Sequence, residues 1–438
     1  MRLPVLASTL AAILFAPGVL AQQQRPEVAP AAAAVRDQVI AWRRDFHQHP
    51  ELSNREQRTA AKVAEHLRSL GLEPQTGIAH HGVVAIIKGG KPGPRLALRA
   101  DMDALPVTEE VDLPFASKVT TEFNGQQTGV MHACGHDAHT AILMGVAQAL
   151  VAMKDELPGE IMLVFQPAEE GPPPGEQGGA DLMLREGLFR DFKPEAIFGL
   201  HVFSTVPVGG IALRSGPLMA ASDRFDIHVQ GRQTHGSRPW GGIDPVVASA
   251  GIINTLQTVV SRRTDIARLP AVVTVAVIRG GIRYNIIPDA VDMQGTLRTF
   301  DDGMRKAIIA DMRNVVEHSA AAQGATARLE LDEAAGNPVT YNDPALTARM
   351  MPSLRAVVGE ANLTESPLQM GAEDFSLYAR QVPGLFFFVG STAKGIDPAT
   401  APSNHSPLFK LDEGALDVGL RALLQLALDF QHGTTPAQ

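Results

Sequence analysis

The chain has 438 residues, 45% hydrophobic and 19% charged, with 38 Lys and Arg against 47 Asp and Glu for a net charge of −9. This composition excludes a disordered or fibrous chain, and without any clustered Lys/Arg run it excludes a nucleic-acid surface. Single hydrophobic cores stop growing at roughly 250–300 residues, so two or more domains are expected.

Taken in chain order, Met1-Arg2 precedes an apolar run over residues 3–20, interrupted by Pro17-Gly18 and closed by Val19-Leu20-Ala21. That pattern predicts a signal peptide over residues 1–21, hence a periplasmic or secreted protein with no membrane attachment after cleavage. No other stretch has the 18 or more apolar residues of a transmembrane candidate. The single cysteine, Cys134, rules out an internal disulfide, so the fold depends on its core.

Residues 22–34, rich in Pro and Ala, read as a linker. Helical spacing follows over 35–46 and 56–70, the second closing at Gly71 in the place of a C-cap glycine. Residues 83–88 and 95–99 read as short buried strands. A helix is expected over 139–153, with Ile142, Leu143, Val146, Ala149 and Leu150 as its apolar stripe, and further strands over 161–165 and 196–200. Such alternation predicts an α/β domain with a doubly wound, mostly parallel sheet. Near Ser215 the pattern changes to half-buried strands over 225–230, 272–278, 290–297 and 325–331, interleaved with helices over 244–262 and 303–323. Four strands and two helices fit a small two-layer, ferredoxin-like α+β module. From about Asn337 the first pattern resumes, with a helix over 344–358, a strand over 385–389 and a helix over 413–430. The expected organisation is a large domain, residues 35–215 and 334–438, interrupted by a module at 216–333.

Several of the expected core strands run straight into metal-binding or acidic residues. Residues 95–99 lead to Asp101 and Asp103, 161–165 to Glu169-Glu170, and 196–200 to His201. Ligands of open parallel sheets bind beyond the carboxyl ends of the strands, so these groups are expected on one rim. The segment HACGHDAHT adds Cys134, His136 and His139 at the start of a helix, where a thiolate is favoured; thiolate and imidazole suit zinc and similar metals. The loop APSNHSPLF adds His405. Of two adjacent glutamates in an extended turn, one can ligate metal while the other faces the reacting water. That division suits metal-assisted hydrolysis, in which a cation lowers the pKa of water towards ~7 and a carboxylate shuttles the proton.

From about Val35 to the C-terminus the chain resembles the aminoacylase/carboxypeptidase family of co-catalytic metallopeptidases, and within it the hippurate hydrolases and plant auxin–amino-acid-conjugate hydrolases. The resemblance is carried by RRDFHQHPELSNRE, LRADMDALP, HACGHDAHT, FQPAEEG, GLHV, HGSRPWGGIDPV, YNIIPD, GAEDF and NHSPLF. It implies two divalent metal ions (zinc, manganese, cobalt or nickel) held by Cys134, His136, Glu170, His201 and His405, with Glu169 as general base. It implies that Asp103 supports the metal site, whereas Asp101 stands where many relatives have a histidine ligand. The inserted module resembles the family's dimerisation domain, in which His235 polarises the substrate carbonyl, often in the partner's site. Asn285 would serve nearby, and the segment holding Glu373 would line the substrate pocket. The implied activity is hydrolysis of the amide bond of small N-acyl amino acids by a homodimer. A carboxypeptidase or dipeptidase of the same family and a non-catalytic exported metal- or solute-binding protein are the alternatives. A zinc deaminase lacks its Pro-Cys-x-x-Cys pair here, and a serine hydrolase its Gly-x-Ser-x-Gly elbow.

Overall fold

The structure, a computed structural model, describes residues 23–333 and 336–433. The expected signal peptide at 1–21 lies outside the described residues. Among the described residues no helix is long and apolar enough to cross a membrane.

An eight-stranded sheet runs in the order Gln75–Ile78, Gly82–Lys88, Pro158–Gln166, Lys91–Asp101, Ala196–Pro207, Gly384–Thr392, Ile211–Leu213 and Leu363–Glu365. Its four central strands, 158–166, 91–101, 196–207 and 384–392, are mutually parallel, and antiparallel pairings lie outside them. The sheet is buried on both faces. Val83, Leu96, Leu98, Leu163 and Phe198 pack under the helices Val28–Gln48, Gln57–Ser69, His136–Ala152 and Gly414–Gln431, while Val84, Ala97, Val164 and Phe386 pack on the opposite side. Alternate residues of one strand thus serve two cores, as the two-residue period of a strand requires.

The first helix begins at Val28, so residues 28–34 are not linker. Val28, Ala32, Val35, Val39 and Phe46 are buried at helical spacing, and Pro30 falls in the first turn, where a missing N–H costs nothing. The helix expected at 139 starts earlier, at His136, after Gly135 with φ +93°. A side chain at Gly135 would meet Val202 Cγ2 at 2.3 Å. Only glycine lets the HACGHD loop lie this close to the strand carrying His201.

The inserted segment forms its own four-stranded antiparallel sheet in the order Val272–Gly280, Ala290–Thr299, Ala221–Gln230 and Thr326–Glu330. Helices Pro245–Thr258 and Asp302–Ala321 cover one face, burying Phe225, Ile227, Met293, Ile252 and Met312 in a separate core. Asp244 and Asp301 cap these helices, accepting from Val246 N and Met304 N respectively.

Candidate metal centre

Parallel register brings the rim together: Asp101 pairs with Gln166, Arg99 with Gly199, and His201 with Phe388. Cys134 Sγ sits at the middle of the cluster, 3.2 Å from His201 Nε2 and 3.2 Å from His405 Nε2. His405 Nε2 is also 3.0 Å from Glu170 Oε1. Two groups of possible ligands share the sulfur: Cys134, His136 and His201 form one, and Cys134, Glu170 and His405 the other, with ligand atoms within 4.8 Å of one another in each. The five residues expected to ligate are therefore in one place.

The His201 and His136 imidazoles are oriented from behind. His201 Nδ1 lies 2.7 Å from the Val202 carbonyl, which fixes the proton there and turns the Nε2 lone pair to the cluster. His136 Nδ1 lies 3.2 Å from Asp103 Oδ1, and its Nε2, buried and without a hydrogen-bond partner among the described residues, points between Glu169 and Glu170 at 3.8 and 3.9 Å. An orphaned buried imidazole nitrogen among carboxylates, beside a thiol and two more imidazoles, fits a bound cation. His139 does not share this geometry. Its Nδ1 is 2.6 Å from Asp101 and its Nε2 accepts from Val202 N–H at 2.8 Å, so both ring nitrogens are used within the protein. Asp101 in turn takes Arg99 at 2.6 Å, which makes it a support for His139 and not a free ligand.

Burial is the first influence on His136, Asp101, Asp103, His201, Cys134 and Glu169, and neighbouring charges oppose or reinforce it. Burial lowers the His136 imidazole, but Asp101 and Asp103 outweigh it and raise it to about 10. Burial would raise Asp101 and Asp103, yet the adjoining histidines, with Arg99 at Asp101, bring both below the ordinary carboxylate range. His201 is held well below its usual value by burial and by His139. Without a bound cation the helix start alone does not favour the Cys134 thiolate. Burial and then Glu170, Glu169 and Asp101 push the thiol well up, because the helix start is crowded with carboxylates; a bound cation would invert that balance. Glu169 is likewise pushed well above the ordinary range by burial, Glu373, Glu170 and Asp374.

The turn carrying Glu169 and Glu170 is not extended as expected. Ala168 adopts φ +53°, a left-handed conformation that costs a non-glycine residue about 1–2 kcal/mol. Asp103 accepts the backbone N–H groups of both Glu169 and Glu170, together with Ser53 Oγ, so it holds this turn as well as His136.

Glu373 is buried and accepts from Arg99 at 2.9 Å, close to Glu169 and Asp374. His235 and Asn285 are adjacent to each other, Gly236 N–H donating to the Asn285 carbonyl. Among the described residues, no hydrogen bond, ion pair or ring contact connects either with the Cys134 cluster, and His235 is exposed. Sequence reasoning missed three supporting residues. Arg99 holds Asp101, Glu373, Asp374 and Gln166 at once. Asn404 braces Cys134 O, Val202 O and Ser204 N. Glu56 reaches Ala168 N–H. Only Arg99 carried a signal, as a cation inside the apolar run RLALRA.

Residues 97–429 match the model of peptidase family M20/M25/M40. A thermostable carboxypeptidase (number 2) of Saccharolobus solfataricus is 40% identical over 399 residues, covering 91% of this chain and 96% of the relative. An N-acetylcysteine deacetylase of Bacillus subtilis is 39% identical over 401 residues, covering 90% and 97%. The crystal structure of the Bacillus subtilis YXEP protein, described as a dinuclear metal binding peptidase from the M20 family, superposes with a TM-score of 0.75. It is 35% identical and covers 92% of this chain and 100% of its own.

Proposed function

This chain belongs to peptidase family M20/M25/M40, and from that premise we propose that it hydrolyses the amide bond of small N-acyl amino acids, with Glu169 as general base. Metal-dependent hydrolysis of amide or peptide bonds is the family's chemistry. The finer reading is carried by one observation: two groups of ligands share the Cys134 sulfur, and Glu169 stands beside both without belonging to the shared pair. Cys134, His136, Glu170, His201 and His405 would hold two divalent metal ions, and a thiol with three imidazoles and one carboxylate suits zinc, with manganese, cobalt or nickel also admitted. When bound, such a pair polarises the scissile carbonyl and lowers the pKa of water.

The protein's own residues do the remaining work. Glu169 takes the proton of the attacking water and returns it to the amine nitrogen as the C–N bond breaks. Burial and the neighbouring acids raise its proton affinity, the direction in which a base takes a proton more readily. Arg99, buried behind Asp101, Glu373 and Asp374, keeps these acids in place around the base. His235 would donate a hydrogen bond to the developing oxyanion, helped by Asn285. Because it is exposed and, among the described residues, makes no hydrogen bond or ion pair with its own chain's cluster, we read it as supplied by a second copy in a homodimer. Trp240, Ile278, Ile282 and Tyr284, apolar yet exposed on the same module, fit such an interface. Export is proposed from the pattern of residues 1–21 alone.

The likeness to the N-acetylcysteine deacetylase supports deacylation, and the likeness to the carboxypeptidase supports the second reading, peptide cleavage. The test is Glu169→Gln, assayed on N-acetyl amino acids, hippurate and dipeptides. Two bound metal ions should remain while kcat falls about 10²–10⁴-fold; unchanged turnover would remove Glu169 from this role.

A further inference from the structure

Three consecutive backbone N–H groups end on two buried acids. That of Ala168 donates to Glu56 Oε1 at 2.8 Å, while those of Glu169 and Glu170 donate to Asp103 at 3.1 and 3.0 Å. A run of backbone amides turned to one side by a left-handed residue is a nest for an acid group, and here the protein fills its own nest. Glu56 is wholly buried at the start of helix Gln57–Ser69, where its Oε1 also accepts from Asn54 N–H at 3.0 Å. Its Oε2 is buried with no hydrogen-bond partner among the described residues. Neither the metal assignment nor the base assignment uses this residue.

The turn needs holding. Ala168 is not glycine, so φ +53° is unfavourable unless its surroundings impose it. Relaxation at Ala168 would rotate the next two residues together. Glu170 Oε1 would leave His405, from which it is 3.0 Å, and Glu169 would leave Asp374 N–H, which donates to it at 3.4 Å.

We infer that Glu56 is a positioning residue of the hydrolytic reaction: its buried carboxyl group clamps the left-handed Ala168 turn, so that Glu170 faces the Cys134 cluster while Glu169 faces Asp374. The inference rests on the reading of Glu170 as ligand and Glu169 as base. Burial, and then the charge of Asp103, push Glu56 up to about 8. Oε1 is the acceptor of both backbone hydrogen bonds, and the side-chain oxygen of glutamine can take its place.

The test contrasts two conservative variants of the full-length protein. Glu56→Gln keeps the length and the acceptor. Glu56→Asp keeps the acid but withdraws it by one methylene. Expected for Glu56→Gln is a kcat within about 3-fold of the parent. Expected for Glu56→Asp is a kcat about 10–100-fold lower, with KM little changed and two metal ions retained, as for a small misplacement of the reacting groups. Ala168→Gly placed in the Glu56→Asp protein should recover much of the loss, since glycine adopts a positive φ without strain. Equal kcat in the parent and Glu56→Asp, an equal loss in both Glu56 variants, or no recovery with Ala168→Gly would each overturn the inference. Amide hydrogen exchange at residues 168–170 reads the clamp without reference to turnover. Protection should be high in the parent and in Glu56→Gln and low in Glu56→Asp; an unprotected Ala168 amide in the parent overturns the inference even if Glu56→Asp does not fold. If Glu169→Gln retained turnover, the base assignment would fail, and the exchange measurement would still decide the role of Glu56.

Discussion

At the rim of the large sheet, Arg99 alone holds Asp101, Glu373 and Asp374, and all four side chains are almost wholly buried. In the inserted module, Trp240, Ile282 and Tyr284 are 77%, 98% and 95% exposed, and the exposed His235 ring is hydrogen-bonded to Ser237. The rim is completed inside one chain. Removing charges from water is tolerable only when each is paired, and the reward is a set of acids and imidazoles in fixed places. The module has a sound core of its own but presents apolar residues outward, the mark of a surface that meets another surface. One region gathers the candidate ligands and base within the chain; the other leaves its histidine and apolar side chains exposed.

The sharpest way to break this contrast is through His235. His235→Ala should lower kcat about 10²–10³-fold, the usual cost of one oxyanion donor, although the residue has no contact with its own chain's metal cluster. Mixing His235→Ala with Glu169→Gln protomers should then restore activity well above that of either alone, because a mixed dimer has one intact shared site. Absence of recovery, with mixed dimers demonstrated, would assign His235 to its own chain's site.

A smaller effect tests the rim. Asp103→Asn removes the negative acceptor behind His136 and disturbs the backbone of Glu169 and Glu170, so metal affinity should weaken about 10–100-fold as measured by chelator competition. Affinity unchanged by this substitution would mean that His136 is oriented by packing alone. The smallest effect on the protomer is expected at the module surface. Ile282→Asp with Tyr284→Ser should change unfolding stability by less than about 0.5 kcal/mol, as for exposed positions generally. The same pair should shift the sedimenting species from dimer to monomer; a dimer that persists would place the interface elsewhere.

Much of the fold was legible in the residues. Two-residue and 3.6-residue apolar periods located the central strands and the long helices, and the change of texture near Ser215 marked the module. The stretch at 28–34 misled because Pro and Ala also suit a linker; its helix depends on Val28 and Ala32 finding a core to bury against. The candidate ligands were legible as residue types, since thiol, imidazole and carboxylate have the same affinities wherever they stand. Their supports were not. His139 looked as good a ligand as His136, and only the Val202 N–H and Asp101 on either side of its ring withdrew it.

By itself the sequence determined which side chains are candidates for the chemistry and which segments end at the rim, because these follow from side-chain type and local periodicity. Tertiary structure alone decided which of them share the Cys134 sulfur, which way Glu169 and Glu170 face, and that the thiol is pushed up and not down. Those outcomes depend on distance, burial and backbone angle at contacts such as Glu56 with Ala168, formed between residues more than a hundred positions apart.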